Sequence, residues 1–93
     1  MIRKYGVLLV SGRRTHQEGH AAASDAHPSC ELTAVTDEHD VSASRAEANQ
    51  LLAVDYDIPC VADLDQALKL LGVNIVSACP DVERRGRVAV QMR

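Results

Sequence analysis

The residues of this 93-residue chain best suited to chemistry lie in a glycine-and-arginine loop and in an acidic pair further on. The loop reads Gly12-Arg13-Arg14-Thr15-His16-Gln17-Glu18-Gly19-His20. It follows an apolar run and opens a helical pattern, a place where free backbone amides gather and attract an anion. The dinucleotide fingerprint Gly-x-Gly-x-x-Gly sets three glycines at such a turn, so that bare backbone can approach a pyrophosphate. Gly12 stands in the first position, whereas Arg14 and Gln17 stand in the second and third. Arg13 and Arg14 admit two explanations. Their guanidinium groups could grip a phosphate bidentately, replacing backbone contact with charge; alternatively, they are solvated side chains that fill the loop. Asp37 follows Gly12 by 25 positions. A carboxylate there would accept both hydroxyls of an adenosine ribose, or it is an ordinary strand-end Asp that caps the next turn. Glu38 beside it would repel a 2′-phosphate, so a dinucleotide preference leans to NAD over NADP.

Other candidates carry less chemistry. His16 and His20 are one helical turn apart, a spacing that suits a metal. The order His-Gln-Glu-Gly-His is not the zincin pattern, and no third ligand is evident unless His39 or Asp37 folds nearby. Helix-surface histidines are the expectation, with no metal. Cys30, Cys60 and Cys79 form no Cys-x-x-Cys pair and none of the spacings of a zinc site. Cys60 and Cys79 have apolar neighbours, and all three are expected to behave as small hydrophobes. Reduced structural thiols in a cytoplasmic protein are expected. Arg84, Arg85 and Arg87 read as a solvated face of the last helix.

Composition bounds the rest. Hydrophobic residues are 46% and charged residues 25%, a globular balance that argues against disorder. A chain this short makes one small domain, which hides only about 60–65% of its unfolded surface. It has no Trp and no Phe, so its core must fill space by close approach of helices and strands. The net charge of −3 gives no nucleic-acid footprint. The longest unbroken apolar runs, Val7 to Val10 and Leu51 to Val54, are too short for a bilayer or a signal sequence. Neither secretion nor membrane insertion is expected.

The elements that must hold the loop and the acidic pair alternate regularly. Tyr5 to Val10 is apolar on both faces and predicts a buried parallel strand. Thr15 and Glu18 have the spacing of a capping box before a helix from His16 to Ala26. Glu31 to Thr36 predicts a second strand that ends at Asp37, and Ser42 to Val54 a second helix studded with Arg45, Glu47 and Gln50. Ile58 to Val61 predicts a short third strand near an edge, because Pro59 cannot donate to a ladder. Asp63-Leu64-Asp65-Gln66 resembles another capping box. Leu64, Ala67, Leu68 and Leu71 then follow at helical spacing, with Gly72 as the C′ residue. Val73 to Ala78 predicts a fourth strand, and Asp81 to Met92 a last helix. This alternation predicts an α/β fold, a Rossmann-like doubly wound parallel sheet with strand order 3-2-1-4. About four strands and four helices are two-thirds of a complete domain of that kind. The fourth strand then forms a bare edge, through which a homo-oligomer is expected.

Three stretches in this frame carry a family likeness. They are Gly6-Val7-Leu8-Leu9-Val10-Ser11-Gly12 with His20-Ala21 beyond it, Glu31-Leu32-Thr33-Ala34-Val35-Thr36-Asp37, and Val73-Asn74-Ile75-Val76-Ser77-Ala78-Cys79-Pro80-Asp81. In order and spacing they resemble the N-terminal domain of the Gfo/Idh/MocA oxidoreductases, the glucose–fructose oxidoreductase and inositol dehydrogenase group. The likeness spans nearly the whole chain. It implies binding of NAD or NADP and a parent activity on sugars, inositols or related polyols. Gly12 would shape the pyrophosphate loop and Asp37 would hold the ribose. Cys79 and Pro80 stand where the family has Thr-Pro, flanking the cofactor near its nicotinamide half. The chain departs from the family at two fingerprint glycines and at Arg84, which replaces a His. The 93 residues contain no Glu-Lys-Pro motif with the family's catalytic lysine, and the family's C-terminal substrate domain is expected to be absent as well. By itself it is therefore not expected to complete the family's reaction. The alternative is a non-catalytic binding or assembly module that kept the fold after losing the cofactor.

Overall fold

The computed structural model describes residues 5–12, 15, 17–38, 40–70 and 72–78. Arg13, Arg14, His16, His39, Cys79, Pro80 and the helix expected over 81–92 lie outside the described residues. Among the described residues, four strands and three helices alternate: β1 (Tyr5–Val10), α1 (Gln17–Ala26), β2 (Cys30–Thr36), α2 (Ala43–Asp55), β3 (Cys60–Val61), α3 (Leu64–Leu68) and β4 (Val73–Ala78). The strands form one parallel sheet in the order β3-β2-β1-β4, as the alternation predicts. The fold is α/β and Rossmann-like.

β1 lies at the centre because it can bury both of its faces. Val7 and Leu9 point to one side, where they pack with Ala21 of α1 and with Leu52 and Ala53 of α2. Leu8 points to the other side, with Ala34 and with Ala67 of α3, and Val10 packs there against Leu64. Two irregularities keep the neighbours in step. Thr33 is an extra residue in β2, so Leu32 faces Val7 while Ala34 faces Leu8. This bulge explains how Leu32 and Val35, three apart, share one face. Asn74 is skipped in the same way on β4, and its Oδ1 accepts a 3.0 Å bond from the Gly6 amide in place of a ladder bond.

α2 is an amphipathic helix of the usual kind, with Arg45, Ala48, Asn49, Leu52 and Ala53 buried at i, i+3, i+4, i+7 and i+8. Ser42 caps it, its Oγ accepting a 3.2 Å bond from the Arg45 amide. β3 is shorter than the sequence suggests and begins at Cys60. Pro59 has no N–H to give, although its carbonyl still accepts a 3.0 Å bond from Val35 N.

α3 corrects the sequence reading. It ends at Leu68, where the bonds tighten to Lys69 N–Gln66 O and Leu70 N–Ala67 O. Gly72 is not its C′ residue. With φ at +88° it turns the chain into β4 instead. Asp63 does cap the helix, with its Oδ1 accepting a 3.0 Å bond from the Asp65 amide.

Candidate functional site

The carboxyl ends of β1, β2 and β3 bring together the loop of Gly12 and the acidic pair. Ser11 follows the last residue of β1, and its amide donates a 2.8 Å bond to Thr36 O of β2. Ser11 takes a left-handed backbone with φ at +75°. Its hydroxyl is fully buried and has no hydrogen-bond partner among the described residues. A left-handed Ser and an orphaned buried hydroxyl both cost free energy, and such features gather at binding sites.

Gly12 is a glycine because of α2. A Cβ on it would lie 2.6 Å from Asn49 Cα, 2.7 Å from Ala48 O and 3.0 Å from Asn49 N. The loop thus rests directly on the helix backbone. Thr15 then stitches the loop to α1, its hydroxyl donating to Gly12 O at 2.8 Å and accepting from the Gln17 amide at 3.0 Å. The hydroxyl thus satisfies an amide of the first helical turn, that of Gln17 and not that of Glu18, which a capping box would use.

Gln17 is a surprise of chemistry at a position where the fingerprint has a glycine. It is fully buried. Its Nε2 donates to Val10 O at 2.9 Å and to Ser77 O at 2.6 Å, while its Oε1 accepts from Ser77 Oγ at 2.9 Å. The side chain therefore bridges β1 and β4 at the point where strand order reverses, the crevice in which doubly wound sheets bind ligands.

Asp37 sits immediately beyond β2 and is 3% exposed. Its Oδ1 accepts a 2.9 Å bond from the Glu38 amide, and its Oδ2 a 3.1 Å bond from Asn49 Nδ2. Asn49 Oδ1 in turn accepts a 3.2 Å bond from Arg45 Nε. A cavity of about 130 Å³ opens beside these groups. Asp37, Glu38 and Asn49 line it, together with Val41 and Ala46, and Cys60, Val61 and Ala62 close it from β3. It offers two adjacent carboxylates and an apolar floor. Such a mixture suits a flat, ring-bearing ligand with hydroxyl donors.

Cys60 departs from expectation. It is exposed, lines the cavity and belongs to none of the three core clusters. The residue as a whole is exposed, but partial burial of its thiol, followed by the negative charge of Asp37, pushes its pKa above the usual value. Cys30, by contrast, packs against the core as a small hydrophobe, and both thiols are free. His20 is exposed on α1, and no cluster of three His, Cys, Asp or Glu side chains able to hold a metal forms among the described residues. No helix among them is long and apolar enough to cross a membrane.

Sequence reasoning pointed to Gly12 and Asp37, and the structure joins the two through Asn49 of α2. It missed Asn49, Gln17 and Ser11. The apolar stripe of α2, extended through its polar members, would have found Asn49.

No protein-family model matches the chain, and no curated protein matches it in sequence. Two solved structures share its fold. One is GenD2 from gentamicin A biosynthesis, in complex with NAD, with a TM-score of 0.81 and 24% identity over 98% of this chain. The other, from Desulfitobacterium hafniense DCB-2, is described as an NADPH-dependent oxidoreductase. It has a TM-score of 0.79 and 15% identity over 99% of this chain. The chain spans 24% of the length of each.

Proposed function

We propose that this chain binds the adenosine half of NAD, as the N-terminal portion of an oxidoreductase of the Gfo/Idh/MocA type. The parent reaction would act on a sugar, an inositol or a related polyol. One observation carries the reading: a buried carboxylate, Asp37, stands at the carboxyl end of β2 on the wall of a cavity. The residues present fit such a ligand. Asp37 would accept from the ribose hydroxyls, and Val41, Ala46 and Val61 would flank the adenine. Ser11, with its orphaned hydroxyl at the end of β1, would meet the pyrophosphate. Arg13 and Arg14 would add charge on the same loop, and Cys79 with Pro80 would flank the nicotinamide half. Glu38, 6% exposed beside Asp37, disfavours a 2′-phosphate by charge, which supports NAD over NADP. When bound, the dinucleotide supplies hydride chemistry; the chain's own residues bind and orient it. The fold of GenD2, solved with NAD, is consistent with this reading.

A second reading has its own support. Gln17 fills the β1–β4 crevice with three hydrogen bonds, where the fingerprint would leave bare backbone. A non-catalytic binding or assembly module that has lost the cofactor would look the same.

Calorimetric titration with NAD⁺, against NADP⁺ as control, separates the two. Saturable heat with NAD⁺ preferred is expected, weakened by about 1–2 kcal/mol in Asp37→Ala. No heat from a chain shown to be folded would favour the second reading.

A further inference from the structure

We infer that Asn49 is a positioning residue for the nucleotide: its side-chain amide, clamped by Arg45, holds the Asp37 carboxylate in the orientation that receives the ribose. This rests on the proposed adenosine site and adds a residue to it.

The argument starts from α2. Asn49 is 3% exposed on the buried face of the helix, which it shares with Arg45 and the apolar Ala48, Leu52 and Ala53. A polar amide among alanines and leucines costs free energy unless its hydrogen bonds are made. Both ends of this amide are engaged. Arg45, one helical turn earlier and itself 9% exposed, donates from Nε to Oδ1 at 3.2 Å. A guanidinium only donates, so it fixes which end of the amide is oxygen. Nδ2 is thereby aimed at the opposite partner, Asp37 Oδ2, at 3.1 Å. The second carboxylate oxygen is held by the Glu38 amide at 2.9 Å. Two donors on two different oxygens fix the plane of the carboxyl group, a degree of order that a cap alone does not require.

The backbone of Asn49 is placed with equal closeness. It lies against Gly12, so near that a Cβ on Gly12 would meet Asn49 Cα at 2.6 Å. One residue therefore touches both the phosphate-side loop and the ribose-side carboxylate. Asn49 also lines the cavity beside Asp37. A hydrogen bond that merely tied α2 to the sheet would need neither the cavity nor the contact with the loop.

The test reads ribose recognition and not binding strength alone. The chain is titrated calorimetrically with NAD⁺ and with its 2′-deoxyadenosine analogue, in wild type and in Asn49→Leu. Wild type should prefer NAD⁺ about tenfold, the size of one charge-assisted hydrogen bond. In Asn49→Leu the preference should fall to about twofold or less, because Asp37 is no longer oriented. The ratio is internal to each variant, so a general loosening that weakens both ligands equally leaves it unchanged. An undiminished preference in Asn49→Leu overturns the positioning role while leaving the nucleotide site standing. Absence of saturable NAD⁺ binding in wild type overturns the proposed function, and this inference with it. Binding without any preference in wild type overturns the ribose contact, and the inference again. If Leu cannot be packed against Gly12, Asn49→Ala repeats the test with a smaller residue and a strong helix former; the same loss of preference is expected and its absence has the same meaning.

Discussion

A thiol at the mouth of a cavity is a reporter of the charge around it. Burial raises the pKa of Cys60 first, and the carboxylate of Asp37 raises it further, since both disfavour a thiolate. The folded chain therefore holds this proton more tightly than the unfolded chain. The sign follows: the contribution of Cys60 to stability is level below the unfolded thiol pKa and is lost as pH rises above it. Alkylation by iodoacetamide, mapped to Cys60 by mass spectrometry, should have a pH midpoint above that of an ordinary thiol near about 8.5. Asp37→Asn should lower that midpoint by removing the charge, and a midpoint that stays put would count against the contact. The thiol also shows what residue type conceals. Cys60 stands between Pro59 and Val61 and Cys30 between Ser29 and Glu31, yet it is Cys60 that faces a cavity and Cys30 that packs on the core. Ser11 is a stronger case, because nothing about a serine announces a left-handed backbone, and the sequence draws the eye to Gly12 instead. Gly12 is glycine for a neighbour 36 positions away, at Ala48, and that contact exists only after α2 has docked. Asp37 was legible because its signal is local: an acid at the end of an apolar strand.

Helix α2 carries most of what joins these residues, and its two ends are built unequally. The N-terminus has a favoured cap in Ser42. The C-terminus forms a Schellman-type turn, with Ile58 N donating to Ala53 O at 3.0 Å and Asp57 N to Val54 O at 3.2 Å. The left-handed position of that turn is Asp57, with φ at +52°. Glycine takes this conformation without the cost that a Cβ imposes. An Asp there also sets negative charge at the negative end of the helix dipole. Asp57→Gly should therefore stabilise the chain by about 0.5–1 kcal/mol, a rise in Tm of about 3–6 °C. Asp57→Ala keeps the Cβ and should not reproduce the gain; equal gains in both would mean that charge and not backbone conformation limits the turn. The element pattern was legible where periodicity is long, as in α1, α2 and the central strand. It failed at α3, where four apolar residues at helical spacing suggested a helix closed by Gly72. Only one and a half turns form, because the chain must leave early to reach β4 beside β1. The bulges at Thr33 and Asn74 were equally hidden, being adjustments of register between strands and not properties of either strand.

At the scale of the molecule, the sheet has two unlike edges. β3 is two residues long and follows Pro59, a combination that offers few groups for pairing. β4 runs for six residues, and among the described residues it pairs only with β1. Its Ile75 is 43% exposed, with Val73 and Val76 half-buried beside it. The order β3-β2-β1-β4 was readable from alternation alone, since a strand apolar on both faces belongs at the centre and a proline strand at the rim. A core of small and aliphatic residues, without Phe or Trp, leaves a domain of this size little reserve against competing associations. The β4 edge is where such association should begin, by strand addition with a second copy. Light scattering across a concentration series is expected to show a mass that rises above 10.1 kDa. Ile75→Lys sets a charge on the strand, as natural edge strands do, and should return the mass toward that of one chain. The same substitution on Leu51, which is 39% exposed on α2 and away from the edge, should leave association unchanged. If wild type stays monomeric throughout, β4 is not an open edge in solution; if Leu51→Lys dissociates it as well, the contact lies on the helical face and not on the strand.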